Sequence, residues 1–578
     1  MKTKFTIKSR MLAKALFGVA LLFCGTSAKA QAPFQGGQTY WVDGLGADVA
    51  SPKDTFINLN GAYVANAAYS NTTGLMTALN NQGVDPATVG TINIILTTGY
   101  TGTETGTINI GQTTNGGYPF MSVQRPVVIK PAPGVNITIT SAGAVAANAA
   151  LVRFNGAQFV TIDGEGTPGE RNLSFVMPAA SAANTSKVID IIPFTNTGCQ
   201  QLTIKNCNIK GLSTAGAAAT IGTYAGVYSG GGTTTPSAPL RTTQNISVIN
   251  NVFEAVQNAV YIRGRETAAG QQDNNLIVRN NICGGTIQPV TGEVLPTTFI
   301  GGGTNPAGIT LIAQKNAIVE GNTVRNNLPS GGNFRGITLV STAQNALDTN
   351  IIINANRIYN LRSTVASTGV YGIRIGLNSH SQALAISITN NTIAKLSTLT
   401  GGTALNTLAY PVGIAIEDAS INAGVSIFHN SVHLYGDTLS AGSLSACIFT
   451  GTTTNGGIRV ANNIFVNRMG RSLSSTGATA AAYIYISNSN ARPFSYMRNN
   501  AYHVGSRTGS YSFIGFSRKA WPALDNWKVV MPDTGSITCV PPFVGVDDTT
   551  LTMPNGSATT LGAYGVGQGI TLDINGAS

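Results

Sequence analysis

One eight-residue phrase comes back nine times between residues 202 and 502. Its copies are LTIKNCNI (202–209), ISVINNVF (246–253), LIVRNNIC (276–283), AIVEGNTV (317–324), IIINANRI (351–358), ISITNNTI (386–393), VSIFHNSV (425–432), IRVANNIF (458–465) and SYMRNNAY (495–502). The sixth position is Asn in eight of them, namely Asn251, Asn281, Asn322, Asn356, Asn391, Asn430, Asn463 and Asn500, and Cys207 in the other. Every copy is apolar three residues before that position and two residues after it. Alternation such as Ile386, Ser387, Ile388 has a period of two and predicts a short strand with one buried face. Asn tolerates the left-handed backbone region and bonds locally through its amide, so it predicts a turn, and the next apolar residue starts a second strand. Strand, Asn turn, strand is one corner of a coil.

A second phrase lies between these corners: AVYI (259–262), GITL (308–311 and 336–339), GIRI (372–375), GIAI (413–416), ACIF (446–449) and YIYI (483–486). It predicts another short strand, entered through a small residue in most copies. Successive key positions are separated by 30 residues (Asn251 to Asn281) up to 44 (Cys207 to Asn251). A leucine-rich repeat would need a shorter, more regular period with a Leu-x-x-Leu-x-Leu frame, which is absent. Coils with loops of variable length fit instead. Stacked so that each strand pairs in parallel with its equivalent above and below, they bury a continuous core that no single coil could bury. The key asparagines then stack as an inward ladder whose amides satisfy buried polar groups.

The expected fold class is therefore all-β: a right-handed parallel β-helix, a solenoid, with a short helical N-terminal cap and a C-terminal capping segment. On these nine corners, and on FVTIDGEG (159–166), the chain resembles secreted bacterial right-handed parallel β-helix proteins of the pectin-lyase-like superfamily. The resemblance covers roughly residues 90–545. It speaks to architecture, because that superfamily holds lyases, hydrolases, tailspikes and adhesins alike.

Residues 1–30 have a basic start, an apolar run from Ala15 to Phe23 and a small-x-small ending Ala28-Lys29-Ala30, which predicts a signal peptide cleaved after Ala30. The division expected is 1–30 signal peptide, 31–90 N-terminal cap region, 91–545 β-helix and 546–578 C-terminal tail, which belongs either to a released protein or to a truncated sequence. Within this scheme TTGLMTALNNQG (72–83) supplies the cap helix, and Trp521 and Trp527 share a short helix over the last coil. The formal charge of +11 falls once the basic leader is removed, and the remainder is too diffuse for a nucleic-acid partner. No segment after the leader reads as a membrane span. Cys199, Cys207, Cys283, Cys447 and Cys539 are too scattered for a disulfide framework or a zinc site.

Chemistry is sparse. The close acid pairs are Asp163/Glu165, Glu417/Asp418 and Asp547/Asp548, each read as structural, and His380, His429, His433 and His503 form no metal constellation. Glycoside hydrolysis needs paired carboxylates, and elimination needs a base beside a neutralised carboxylate. No catalytic residue, metal or cofactor is assigned. The outward positions of the second phrase form a column, Tyr261, Thr310, Thr338, Arg374, Ala415, Ile448 and Tyr485, with Tyr228 added from GVYS. Of these, Tyr228, Tyr261, Arg374 and Tyr485 are the candidate carbohydrate-binding residues, the tyrosines stacking on sugar faces and Arg374 pairing an acidic sugar. Loops could also bring Arg263, Arg265, Glu417 and Asp418 together. The functional expectation is a secreted or cell-surface, non-catalytic protein, adhesive or glycan-binding, with extracellular polysaccharide or cell-surface glycan as partner. The alternative is a polysaccharide lyase or glycoside hydrolase. N-terminal sequencing of the exported chain is expected to begin at Gln31, and retention of Lys2 to Lys14 would contradict the leader.

Overall fold

A computed structural model describes residues 34–43, 55–56, 59, 74–111, 122–178, 185–194, 198–213, 221–231, 239, 241–266, 272–285, 298–303, 306–328, 332–341, 348–363, 369–377, 384–398, 411–417, 424–439, 444–451, 455–471, 479–486, 492–503, 510–517 and 519–541. The expected leader, the tail and Asp418, Asp547, Asp548 and His380 lie outside these residues. The described chain is a parallel β-helix of three long sheets with 17, 13 and 15 strands. One coil shows the plan. Ile386–Thr389 lies in the first sheet, Asn390 and Asn391 turn the corner, Thr392–Thr398 lies in the second sheet and Pro411–Ile416 in the third. Val425–Phe428 then returns to the first sheet one coil on.

Register follows the sequence phrases. In the first sheet Ile386 pairs with Ile351 on one side and Val425 on the other, and Ile388 with Ile353 and Ile427. In the third sheet Ile309, Ile337, Ile373, Ile414, Ile448 and Ile484 form one unbroken column. All of these residues are buried, so each sheet contributes aliphatic stripes to one continuous core. The small residue before the column has a steric cause. A Cβ at Gly372 would stand 2.6 Å from Ile393 Cγ2 of the second sheet, and one at Gly336 2.7 Å from Ile358 Cγ2. Two successive residues therefore face inward here, and the residues flanking them, such as Tyr371 and Arg374, both face outward.

The two residues of each corner divide the work. The first takes the left-handed conformation, with φ of 54° at Asn250, 55° at Asn280, 54° at Asn390, 58° at His429 and 57° at Asn462. The second is buried and repeats one bonding pattern. Asn391 Nδ2 donates to Asn430 Oδ1 at 3.0 Å and to Ile353 O at 2.9 Å, while its backbone N–H donates to the same Asn430 Oδ1. Its own Oδ1 accepts the backbone and side-chain N–H groups of Asn356. The series runs from Cys207, whose N–H donates to Asn251 Oδ1, to Asn500, whose N–H donates to Ser536 Oγ.

The ends depart in part from expectation. The helix Leu75–Gln82 buries Leu75, Met76, Ala78 and Leu79 and stops at Gly83, where φ is 75°. The first sheet reaches back into the segment expected to be cap alone, because Thr39–Val42 pairs in parallel with Ile92–Leu96. At the other end the tryptophans separate. Trp527 is buried in the helix Leu524–Val530, whereas Trp521 ends the strand Lys519–Trp521. Pro522 follows Trp521 and disfavours the helical region for it. That strand runs antiparallel to Ser510–Ser517, the reverse of every other strand-to-strand ladder among the described residues, where antiparallel pairing is otherwise confined to isolated bridges.

The corner leading from the third sheet to the first buries carboxyls. Asp273 Oδ1 accepts the Thr243 N–H at 2.7 Å, and Asp348 Oδ1 accepts the Gln314 N–H at 2.8 Å. Asp273 Oδ2, Gln314 Oε1 and Asp348 Oδ2 are buried without hydrogen-bond partners among the described residues. Three orphan oxygens on consecutive coils are satisfied if both carboxyls carry a proton. Burial pushes Asp273 up to about 8, against the Thr243 N–H bond, and burial also raises Asp348.

Two outcomes follow from this packing. Asn391→Leu leaves the Asn356 N–H and the Ile353 carbonyl unmatched, so it should cost roughly 1–3 kcal/mol, read as a lower unfolding midpoint; an unchanged midpoint would refute a stabilising ladder. For Asp273 the folded carboxyl binds its proton more tightly than the unfolded one, which titrates near 4. Its contribution is thus complete below that pH and lost as pH rises through about 8. Thermal scans should show wild type losing stability over this window more steeply than Asp273→Asn, whose amide keeps an acceptor for Thr243 and an N–H in place of the acid O–H. Equal slopes would mean Asp273 is not protonated.

Candidate functional site on the outer face of the third sheet

Pairing in the third sheet places twelve outward residues in one line: Asn109, Arg153, Asp190, Tyr228, Tyr261, Thr310, Thr338, Arg374, Ala415, Phe449, Tyr485 and Phe516. A second outward line beside it includes Lys187, Asn258, Arg335 and Tyr371. Phe449 stands where the phrase ACIF had suggested Ile448. The pairs Val412 with Ala446 and Ile414 with Ile448 show that Cys447, not Ala446, takes the small-residue position, which moves the outward place on by one.

The tyrosines sit in this line but not as an open platform. Tyr228 is 1% exposed, Tyr261 9% and Tyr485 3%. Tyr228 and Tyr261 stack on each other with centroids 5.5 Å apart and planes 12° apart, and Lys187 Nζ lies 4.6 Å from the Tyr228 centroid. Tyr485 is held between Phe449 at 5.8 Å and Phe516 at 4.9 Å. Parallel coils about 4.8 Å apart set rings in one line near stacking distance, so the faces expected to meet sugars are filled by neighbours. Burial raises the phenols of Tyr261 and Tyr485, which keeps them neutral hydrogen-bonding groups.

Between the two aromatic clusters lies a charged one. Arg374 donates to Glu417 Oε2 through Nε at 2.7 Å and pairs with the same oxygen through Nη2 at 2.6 Å. A Cβ at Gly376 would stand 2.9 Å from the Arg374 guanidinium carbon, so glycine two residues on lets the side chain lie along its own strand toward Glu417. Arg335 lies on the adjacent strand, 8% exposed, and its register partner is Tyr371. Burial and then the Arg374 charge pull Arg335 down to about 10, opposed by Tyr371 and Glu417. Arg374 holds Glu417 through Oε2, and Glu417 Oε1 has no hydrogen-bond partner among the described residues. Sequence reading found Arg374 and missed Arg335. The signal was there, because the residue before the small position, Arg335 before Gly336 or Tyr371 before Gly372, is outward in each copy.

Other candidates are dispersed. Arg263 pairs with Glu266 at 2.5 Å, four strands from Glu417, so these groups do not meet. Asp163 pairs with Lys205 at 2.8 Å and accepts from Asn206 Nδ2, both on the first sheet. His429 takes the left-handed corner place beside Asn462, and burial lowers its pKa. Cys199, Cys207, Cys283 and Cys447 are buried free thiols that burial pushes up, Cys199 to about 12, which suits packing and not nucleophilic attack. Among the described residues no three His, Cys, Asp or Glu side chains converge as a metal-ligand set. No helix among them is long and apolar enough to cross a membrane.

No protein-family model matches the chain, and no curated protein matches it. Solved structures do. The mannuronan C-5 epimerase AlgE6 A-module of Azotobacter vinelandii is 13% identical, with 72% of this chain and 91% of that chain covered and a TM-score of 0.32. A mannuronic acid specific polysaccharide family 6 lyase from human gut microbiota is also 13% identical, covering 85% of this chain and 91% of that one, with a TM-score of 0.29.

Proposed function

We propose that the protein is an exported, non-catalytic β-helix of the cell exterior that holds an acidic polysaccharide on the outer face of its third sheet. The observation that carries this reading is the placing of two guanidiniums, Arg335 and Arg374, on adjacent strands of one outward face, with the Arg374 side chain 19% exposed beside Glu417. A guanidinium fork fits a carboxylate in two-point geometry, so a uronic acid is the matching sugar. The acids on this face support a binding role over a catalytic one. Asp190 is tied to Arg153, Glu266 to Arg263 and Glu417 to Arg374, so each carboxylate is engaged by a guanidinium and poorly placed to act as a base. The tyrosine and phenylalanine stacks then act as rigid walls to either side.

The purified chain should bind polyuronates such as pectate or alginate, more weakly as salt is raised, and ignore neutral glucans. Arg335→Gln and Arg374→Gln should each weaken binding about tenfold or more, with unfolding midpoints recorded to exclude loss of fold. Equal binding by both variants would remove this site. New reducing ends or unsaturated sugar absorbance on incubation would replace the binding reading with that of a lyase or hydrolase.

A further inference from the structure

We infer that the outer face of the first sheet carries a separate, open binding surface for an acidic polysaccharide, centred on Arg459 and Arg498. It lies on a different sheet from Arg335 and Arg374 and shares with the reading above only the class of ligand. Pairing sets two outward lines side by side there: Ser387, Ser426, Arg459 and Tyr496 in one, and Thr389, Phe428, Ala461, Arg498 and Thr534 in the other. Ser387, Ser426 and Tyr496 are half-buried, while Arg459, Arg498 and Thr534 are exposed. Solvent therefore reaches the whole of the first line and the end of the second.

Arg459 is held by rings and not by an acid. Its guanidinium carbon lies 5.3 Å from the Phe428 ring centroid and 5.5 Å from that of Tyr496. A guanidinium fixed over rings keeps the N–H donors that a carboxylate would otherwise have taken. Tyr496 owes its place to a bulge: Ile458 pairs with Phe494 but Arg459 with Tyr496, and the extra residue, Ser495, is exposed. Arg498 stands diagonally across from Arg459 on the adjacent strand. Neither arginine forms an ion pair among the described residues. The nearest acid in the second line is Glu320, five strand steps from Arg498 and paired with Arg279. Asp533, next to Thr534, is buried and accepts from Tyr502 Oη at 2.8 Å. The excess is regional too, since residues 424–540 hold nine Lys or Arg against three Asp or Glu. Arginine beside rings also suits a nucleic acid, but successive bases need successive rings, and the places before Arg459 in its line are Ser426 and Ser387. Hydroxyls, one phenol and two guanidiniums on an open sheet match the hydroxyls and carboxylates of a uronate chain.

Calorimetric titration of the full chain with an oligogalacturonate separates the two faces. With Arg335→Gln and Arg374→Gln combined, binding should persist, and adding Arg459→Gln or Arg498→Gln should weaken it about tenfold or more. Both side chains are exposed, so melting midpoints should stay at the parental value; if one variant melts early, the other carries the test. No binding by the combined parent, or parental affinity in both added variants, overturns the first-sheet surface. Binding that depends on Arg459 and Arg498 but is the same with and without the changes at Arg335 and Arg374 upholds this surface and removes the third-sheet site. Absence of binding by the unaltered chain overturns both. A single-stranded oligonucleotide bound more tightly than the oligogalacturonate through the same two arginines overturns the assignment of a glycan.

Discussion

Eight successive coils of this protein, from Asn251 to Asn500, are each indexed by a side-chain amide. Asn Oδ1 accepts two N–H groups from the coil before, and Nδ2 donates both to the next Asn and to a backbone carbonyl that the corner would otherwise strand. Because the amide is buried, each unmatched donor or acceptor would carry its full desolvation cost. The requirement fixes where each corner stands relative to its neighbours. A strand one residue out of step would point its aliphatic side chains at solvent, so the ladder and the core stripes enforce the same register.

The outer face inherits that register. Residues far apart in sequence, Asp190 and Tyr485 for instance, become members of one line because each sits one place beyond an inward aliphatic residue. Charge on this line is paired locally, Arg153 with Asp190 and Arg374 with Glu417. Pairing keeps the solvent-poor face stable, because a lone charge there would carry its full desolvation cost.

The strands and corners were legible in the sequence because each carries its own phrase, and the phrase reports directly on burial. Ile386, Ile388 and Ile393 needed no tertiary information to be placed. The exceptions are instructive. ACIF was misaligned by one residue because Ala446 is smaller than Cys447, yet the inward place tolerates a thiol. Trp521 looked helical until its following proline is weighed. The tyrosines were placed correctly in line, but their mutual stacking depends on coil spacing, which no single coil encodes. The carboxyl corner was invisible, because Asp273, Gln314 and Asp348 share no phrase and meet only through the fold.

The reversed strand at the end of the third sheet has a further effect. A β-helix whose last coil offers a strand edge can template the first coil of another molecule. Lys519–Trp521 ends the third sheet with the opposite polarity, so a second molecule stacked in the same sense would meet it as an antiparallel neighbour, with a hydrogen-bond spacing unlike that of the parallel coils. With a lysine laid over the Trp521 ring beside it, the strand interrupts the parallel repeat at this edge as well as covering the core.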